Sequence, residues 1–127
     1  MNYLLDTNIL LWVFENHPKL SKSSHKILQD PANTFYVSIV SLWEIAIKLS
    51  IGKLSLSQSL DEIVNKLNQQ NVIILPISIK AVKRVKDLPY HHRDPFDRIL
   101  VAQAQVDDLI VMTNDKKFEE YGVKLVG

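Results

Sequence analysis

The chain has 127 residues, with 15 Lys and Arg against 14 Asp and Glu and a formal charge of +1. That length is read as one unit, a single domain over residues 1–127. A hydrophobic fraction of 46% with 23% charged residues excludes a disordered chain. Cysteine is absent, which excludes disulfides, thiolate nucleophiles, Fe–S clusters and Cys-based zinc sites and fits a reducing cytoplasm. No run of about 18 apolar residues offers a membrane span. The segment from Tyr3 to Phe14 is broken by Asp6, Thr7 and Asn8 and lacks a basic leader, so it is not read as a signal peptide.

Strands and helices alternate along the chain. Tyr3-Leu4-Leu5 is a short apolar run closed by Asp-Thr-Asn and reads as a buried strand, followed by a helix over 7–15. Ser21 is placed to cap a second helix. Phe35–Val37 reads as a strand, and a helix runs from Ser38 to about Leu49, ended near Gly52. Leu56, Leu60, Ile63, Val64 and Leu67 recur on one side of a helix over 56–67. Val72–Leu75, closed by Pro76, is a third strand, and residues 78–86 form a basic helix. Asp94-Pro95 opens another helix, reaching about Val106. Leu109–Met112 is again an apolar strand, and Val123–Val126 closes the chain at a sheet edge.

Strands that are apolar throughout are covered on both faces, and helices between them indicate an α/β fold with a central, mostly parallel sheet of about four to five strands. In such sheets ligands bind beyond the carboxyl ends of the strands. Two of the clearest strands run into an acid at that end, Asp6 and Asp115.

The helix from Ser38 is polar only at Ser38, Ser41, Glu44 and Lys48, a narrow stripe that faces either water or a cleft. A Glu44–Lys48 pair on a solvent face is the plain alternative. Asp94 and Asp97 suit the cap and first turn of their helix, and Asp6 and Asp115 also precede helices, so each acid has a capping explanation. If Asp6, Glu44, Asp97 and Asp115 converge, they repel one another and raise one another's pKa. Protonation or a multivalent cation relieves that, and an all-oxygen ligand set selects Mg²⁺ or Mn²⁺. Residues 78–98 carry a local charge of +3 against −2 for the rest of the chain. A phosphate-bearing partner or a solvated helix face accounts for this basic segment.

The ordered motifs Leu-Leu-Asp6-Thr7-Asn8, Ser-Leu-Trp-Glu44-Ile-Ala-Ile-Lys48, Arg93-Asp94-Pro95-Phe96-Asp97-Arg98 and Met-Thr113-Asn114-Asp115 resemble those of PIN-domain ribonucleases, specifically the VapC-like toxins of type II toxin–antitoxin pairs. The resemblance covers nearly the whole chain. It implies a PIN-like α/β/α sandwich and an endoribonuclease dependent on Mg²⁺ or Mn²⁺, leaving a 5′-phosphate and a 3′-hydroxyl. Its acidic set falls on Asp6, Glu44, Asp97 and Asp115, with Asp94 a supporting acid. It also implies an antitoxin that fills the acidic groove. The helices over 7–14 and 56–67 either offer surfaces for it or for a homodimer, or simply pack on the sheet.

Within that expectation Asp6 and Asp97 ligate a first cation, and Glu44 and Asp115 complete the set through water or a second ion. Thr7 and Thr113 either orient the carboxylates or serve their turns, and Asn8 is placed to bond a neighbouring acid. Lys48, Arg93 and Arg98 are candidates for RNA phosphates. The adjacent His91 and His92 point in different directions and read as loop residues or RNA contacts. Trp12 and Trp43 fit helix packing. A haloacid-dehalogenase-like phosphatase wants a second Asp where Asn8 stands, and a response-regulator receiver wants an acceptor Asp where the third strand ends in Pro76. The competing reading of another class is a non-catalytic PIN-like scaffold that binds RNA or a protein partner, separated from an enzyme by a nuclease assay across divalent ions.

Overall fold

The computed structural model describes residues 1–127. Its elements are β1 (Asn2–Leu5), α1 (Thr7–Glu15), α2 (Lys22–Gln29), β2 (Thr34–Ser38), α3 (Ile39–Ser50), α4 (Leu60–Gln69), β3 (Ile73–Leu75), α5 (Ile79–Asp87), α6 (Pro95–Asp107), β4 (Ile110–Met112), a 3₁₀ turn over Lys116–Tyr121, and β5 (Leu125–Val126). All five strands are parallel, in the order β3-β2-β1-β4-β5. The α/β class and parallel sheet expected from the apolar strands are therefore the ones observed.

Side-chain alternation divides the core between two faces. Leu4 and Val111 pack with Ala81 of α5 and with Leu100, Val101 and Ala104 of α6. Leu5, Val37 and Met112 pack on the other face with Ile9 and Leu10 of α1, Leu42 and Ile45 of α3, and Ile63 and Leu67 of α4. Helices thus cover both sides, which is why the strands carry apolar residues at consecutive positions.

Serine caps set several helix starts. Ser21, Ser38, Ser59 and Ser78 each accept a backbone N–H from the first turn of α2, α3, α4 and α5. Gly52, at a φ of +72°, follows the last residues of α3 as its sequence position predicts. One element is displaced from its expected place. The helix predicted over 56–67 begins at Leu60 and runs to Gln69. Ser59 Oγ accepts from the Glu62 N–H at 3.1 Å and Glu62 Oε1 accepts from the Ser59 N–H at 3.3 Å. This capping box fixes the start four residues later. Leu56 packs on the same core from the preceding loop, so it satisfied the apolar pattern without being helical.

The chain builds β1, β2 and β3 outward in one direction, then returns to add β4 and β5 on the other side of β1. The order reverses between β1 and β4, where Leu5 lies beside Met112. A crevice beyond the carboxyl ends of these two strands is where an open parallel sheet binds its ligands.

Candidate active site at the sheet switch point

Asp6 is the first residue beyond β1, and its N–H is held by Met112 O at 3.0 Å. It caps α1: Oδ1 accepts from the Ile9 N–H at 2.8 Å. Its other oxygen accepts from the Thr113 hydroxyl, and Thr113 Oγ1 in turn accepts from the Asp115 N–H at 3.0 Å. The end of β4 thus orients the acid at the end of β1. Asp6 is only 5% exposed. Burial raises its pKa to about 6. The hydrogen bonds from Thr113 and Ile9 oppose the shift, and the charges of Asp115 and Glu44 add to it.

Asp97 stands in the first turn of α6, opened by Asp94, whose Oδ1 accepts from the Phe96 N–H at 2.9 Å. Asp97 has no hydrogen-bonded or ion-paired partner for its own carboxylate. Its pKa is also pushed up to about 6, first by burial and then by Asp94, with Glu44 and Asp115 adding to the shift and His92 opposing it. Glu44, from α3, is nearly buried and pairs with Lys48 one turn on at 2.9 Å. Asp115 caps the 3₁₀ turn through the Lys117 N–H at 3.0 Å and meets His92 Nε2 at 2.8 Å. Burial pushes Asp115 up, but the hydrogen bonds from His92 and Lys117 and their charges outweigh it and hold it below its ordinary value.

Asp6, Glu44, Asp97 and Asp115 therefore share one electrostatic neighbourhood, because Glu44 and Asp115 press on both of the raised aspartates. As the side chains stand, no three His, Asp or Glu groups are gathered closely enough to hold a metal ion. The donor chemistry nonetheless fits a hard divalent cation. The set is carboxylate oxygen alone, two of its members are under-compensated, and the one nearby imidazole is turned onto Asp115. A cavity of about 620 Å³ lies elsewhere, between α1, α2, α4 and β2, lined by Leu10, Phe14, Leu28, Phe35 and Leu67. The chemistry of the carboxylates, rather than cavity size, marks the candidate site.

Several expected roles change. Arg98 is not available to a phosphate. It is 5% exposed, and its guanidinium donates to the carbonyls of Pro89, Val85 and Leu88 at 2.9, 3.0 and 3.2 Å. The Tyr90 ring covers it, with the guanidinium carbon 4.0 Å from the centroid. Arg93 is exposed, and Lys48 is engaged by Glu44. Thr7 donates to Ser41 Oγ at 2.9 Å, tying α1 to α3, and touches no carboxylate. The Asn8 side chain is exposed and bonds none either. Trp43 is 58% exposed with only an edge-on contact to Phe96, 5.2 Å between ring centres, so it is a rim residue of α3 rather than a packed one. His92 lies in the loop before α6, as expected, but its side chain is turned inward and buried against Asp115 and Tyr121. Sequence reasoning missed this pair. The available signal was that two adjacent His side chains diverge, so that one of them faces inward beside a largely apolar helix.

The PIN domain family model matches residues 3–124, and the chain belongs to that family. No curated protein matches its sequence. Among solved structures, it is similar to VapBC2 from Rickettsia felis bound to a DNA fragment from its promoter, with 21% identity, a TM-score of 0.72, and 99% of this chain and 98% of that one covered. DNA-bound VapBC from Salmonella typhimurium gives 17%, 0.70, and 99% and 97%. VapBC-5 from Mycobacterium tuberculosis, a member of the VapBC family of toxin–antitoxin systems, gives 17%, 0.62, and 98% and 97%. At these identities the likeness is one of fold.

Proposed function

We propose that the chain is a VapC-like toxin, an endoribonuclease that hydrolyses RNA phosphodiester bonds with Mg²⁺ or Mn²⁺, its residues 1–127 working as one domain in the cytoplasm. The observation that carries this reading is the pair of raised aspartates, Asp6 and Asp97, with Glu44 and Asp115 acting on both. No cationic side chain neutralises that pair.

Asp6 and Asp97 would hold the cation directly, with Glu44 and Asp115 completing the set. A bound Mg²⁺ or Mn²⁺ lowers the pKa of water and stabilises charge on phosphoryl oxygens. The chain's own part is positioning. Thr113 fixes the rotamer of Asp6 and keeps its Oδ2 hydrogen-bonded, and the Asp94 cap sets the helix turn from which Asp97 projects. Arg93, exposed beside this turn, offers charge to a backbone phosphate, which gives affinity without sequence choice. Lys48 does so only if its pairing with Glu44 opens. In-line attack on the scissile phosphate would leave a 5′-phosphate and a 3′-hydroxyl.

The expected partner is an antitoxin that neutralises the acidic pocket with an Arg or Lys. The apolar cleft between α1, α2 and α4 gives it, or a second copy of the chain, a surface beside the sheet. The non-catalytic scaffold keeps one observation in its favour, that no three acids are drawn together. Cleavage of a structured RNA in Mn²⁺ separates the two. Wild-type protein is expected to cut, and Asp6→Asn to lose cutting while keeping its circular-dichroism spectrum. Full activity in that variant removes Asp6 from the site, and no cleavage by wild type with any divalent ion favours the scaffold.

A further inference from the structure

The sequence places His91 and His92 side by side before α6, and the structure separates their fates. His91 is half-buried, edge-on to Tyr121 with 4.8 Å between ring centres, and its Nδ1 lies 3.3 Å from Glu120. His92 is 8% exposed. Its ring stacks on Tyr121 at 5.6 Å and 10° and tilts against Phe118 at 4.8 Å. Its backbone N–H and both ring nitrogens have partners in this apolar seat. The backbone N–H donates to the Tyr121 hydroxyl at 2.8 Å, Nδ1 lies 3.2 Å from the same hydroxyl, and Nε2 lies 2.8 Å from Asp115 Oδ2.

Proton bookkeeping fixes the direction of this chain. The Tyr121 oxygen accepts the His92 N–H, so its own proton is free to go to Nδ1. A neutral imidazole that accepts there carries its hydrogen on Nε2. An imidazolium also carries one on Nε2. In both states Nε2–H donates to the Asp115 carboxylate, and the reverse arrangement would set a lone pair against an ionised oxygen. With Oδ1 already receiving the Lys117 N–H, both oxygens of Asp115 are pinned and its carboxylate plane is fixed.

We propose that His92, keyed by the Tyr121 hydroxyl, is the positioning residue that presents Asp115 to the cation site. His92 acts through Asp115 and touches neither RNA nor metal. The inference rests on the proposed metal site. Outer partners of this kind set ligand orientation, and their removal typically weakens metal affinity about 10- to 100-fold.

Two measurements test it. In metal-free protein, the His92 Nε2–H is expected as a slowly exchanging imidazole proton in ¹⁵N-resolved NMR spectra, displaced by Asp115→Asn and weakened by Tyr121→Phe. Its absence from the wild-type spectrum overturns the proposal whether or not the protein binds metal. In Mn²⁺ titrations followed by the electron paramagnetic resonance signal of the free ion, without RNA, His92→Phe is expected to weaken binding about 10- to 100-fold. His92→Gln, which keeps an N–H donor, is expected to recover most of it, and Tyr121→Phe to fall between. Wild-type affinity in a folded His92→Phe protein contradicts the positioning role. If His92→Phe fails to fold, His92→Gln binding no better than Tyr121→Phe contradicts it equally. Failure of the underlying site reading looks different: wild type binds no Mn²⁺, or Asp6→Asn leaves its affinity unchanged.

Discussion

Asp6 and Asp97 reach the same elevated pKa of about 6 in opposite surroundings. Asp6 is hydrogen-bonded at both oxygens and still raised by burial. Asp97 has no donor at all and feels Asp94 beside it. For both, the folded pKa exceeds the ordinary 3.8, so their stabilisation is full below about pH 4 and is lost as the pH rises through 6. Asp115 has the opposite sign. Its folded pKa is lowered, its stabilisation is lost only as the pH falls through that value, and the range from 5 to 7 leaves it intact. In EDTA, wild type should therefore gain Tm relative to the double variant Asp6→Asn/Asp97→Asn as the pH falls from 7 to 5. A constant difference would show that the two carboxylates are not strained by burial. A bound cation should abolish the effect, because it supplies the charge that protons supply at low pH.

Arg98 shows how a charged residue becomes structural. No carboxylate pairs with it. Instead it satisfies the carbonyls of Val85, Leu88 and Pro89, where the end of α5 turns toward α6. Arg98→Ala leaves the Leu88 and Pro89 carbonyls without donors, and Val85 O with only the Leu88 N–H at 3.3 Å, and should cost about 2–4 kcal/mol in urea denaturation. Arg98→Lys should recover only part, because an ammonium lacks the planar fork. A loss below about 0.5 kcal/mol, the level of an ordinary surface substitution, would return Arg98 to the solvent-facing role that its charge first implied.

At the scale of elements, the start of α6 separates capping from chemistry. Asp94 holds the Phe96 N–H and Asp97 holds nothing. Asp94→Ala should lower stability by about 1 kcal/mol, the worth of an N-cap. Asp97→Asn should raise stability at pH 7, because it removes a half-buried charge. Thermal denaturation of the two variants checks both signs, and a destabilised Asp97→Asn would mean that Asp97 serves the helix after all. The same contrast limits what sequence can show. Both acids suit a helix start, and only coordinates reveal which one bonds the backbone. The start of α4 was misplaced for a related reason. Leu56 continues the apolar period, but Ser59 and Glu62 close a capping box that no periodicity count registers. Where the punctuation was local and strong, as at Ser21, Ser38, Gly52 and Asp94-Pro95, the expected boundaries agree with the observed ones within a residue or two.

For the whole molecule, the parallel sheet was readable because strands covered on both faces are apolar at every position, as in Leu4-Leu5 and Val111-Met112. Strand order was not readable, and it is the order that brings Asp6 and Asp115 to one crevice between β1 and β4. The acids were individually visible in sequence. Their mutual electrostatics, the burial of Arg98 and the seat of His92 depend on contacts between residues distant along the chain. The most direct measurement of that convergence is paramagnetic broadening of ¹⁵N-labelled protein by substoichiometric Mn²⁺. Amide signals around Asp6, Glu44, Asp97 and Asp115 should broaden together and first. Broadening confined to surface acids such as Asp61 and Glu62, or to one of the four alone, would contradict a shared cation site.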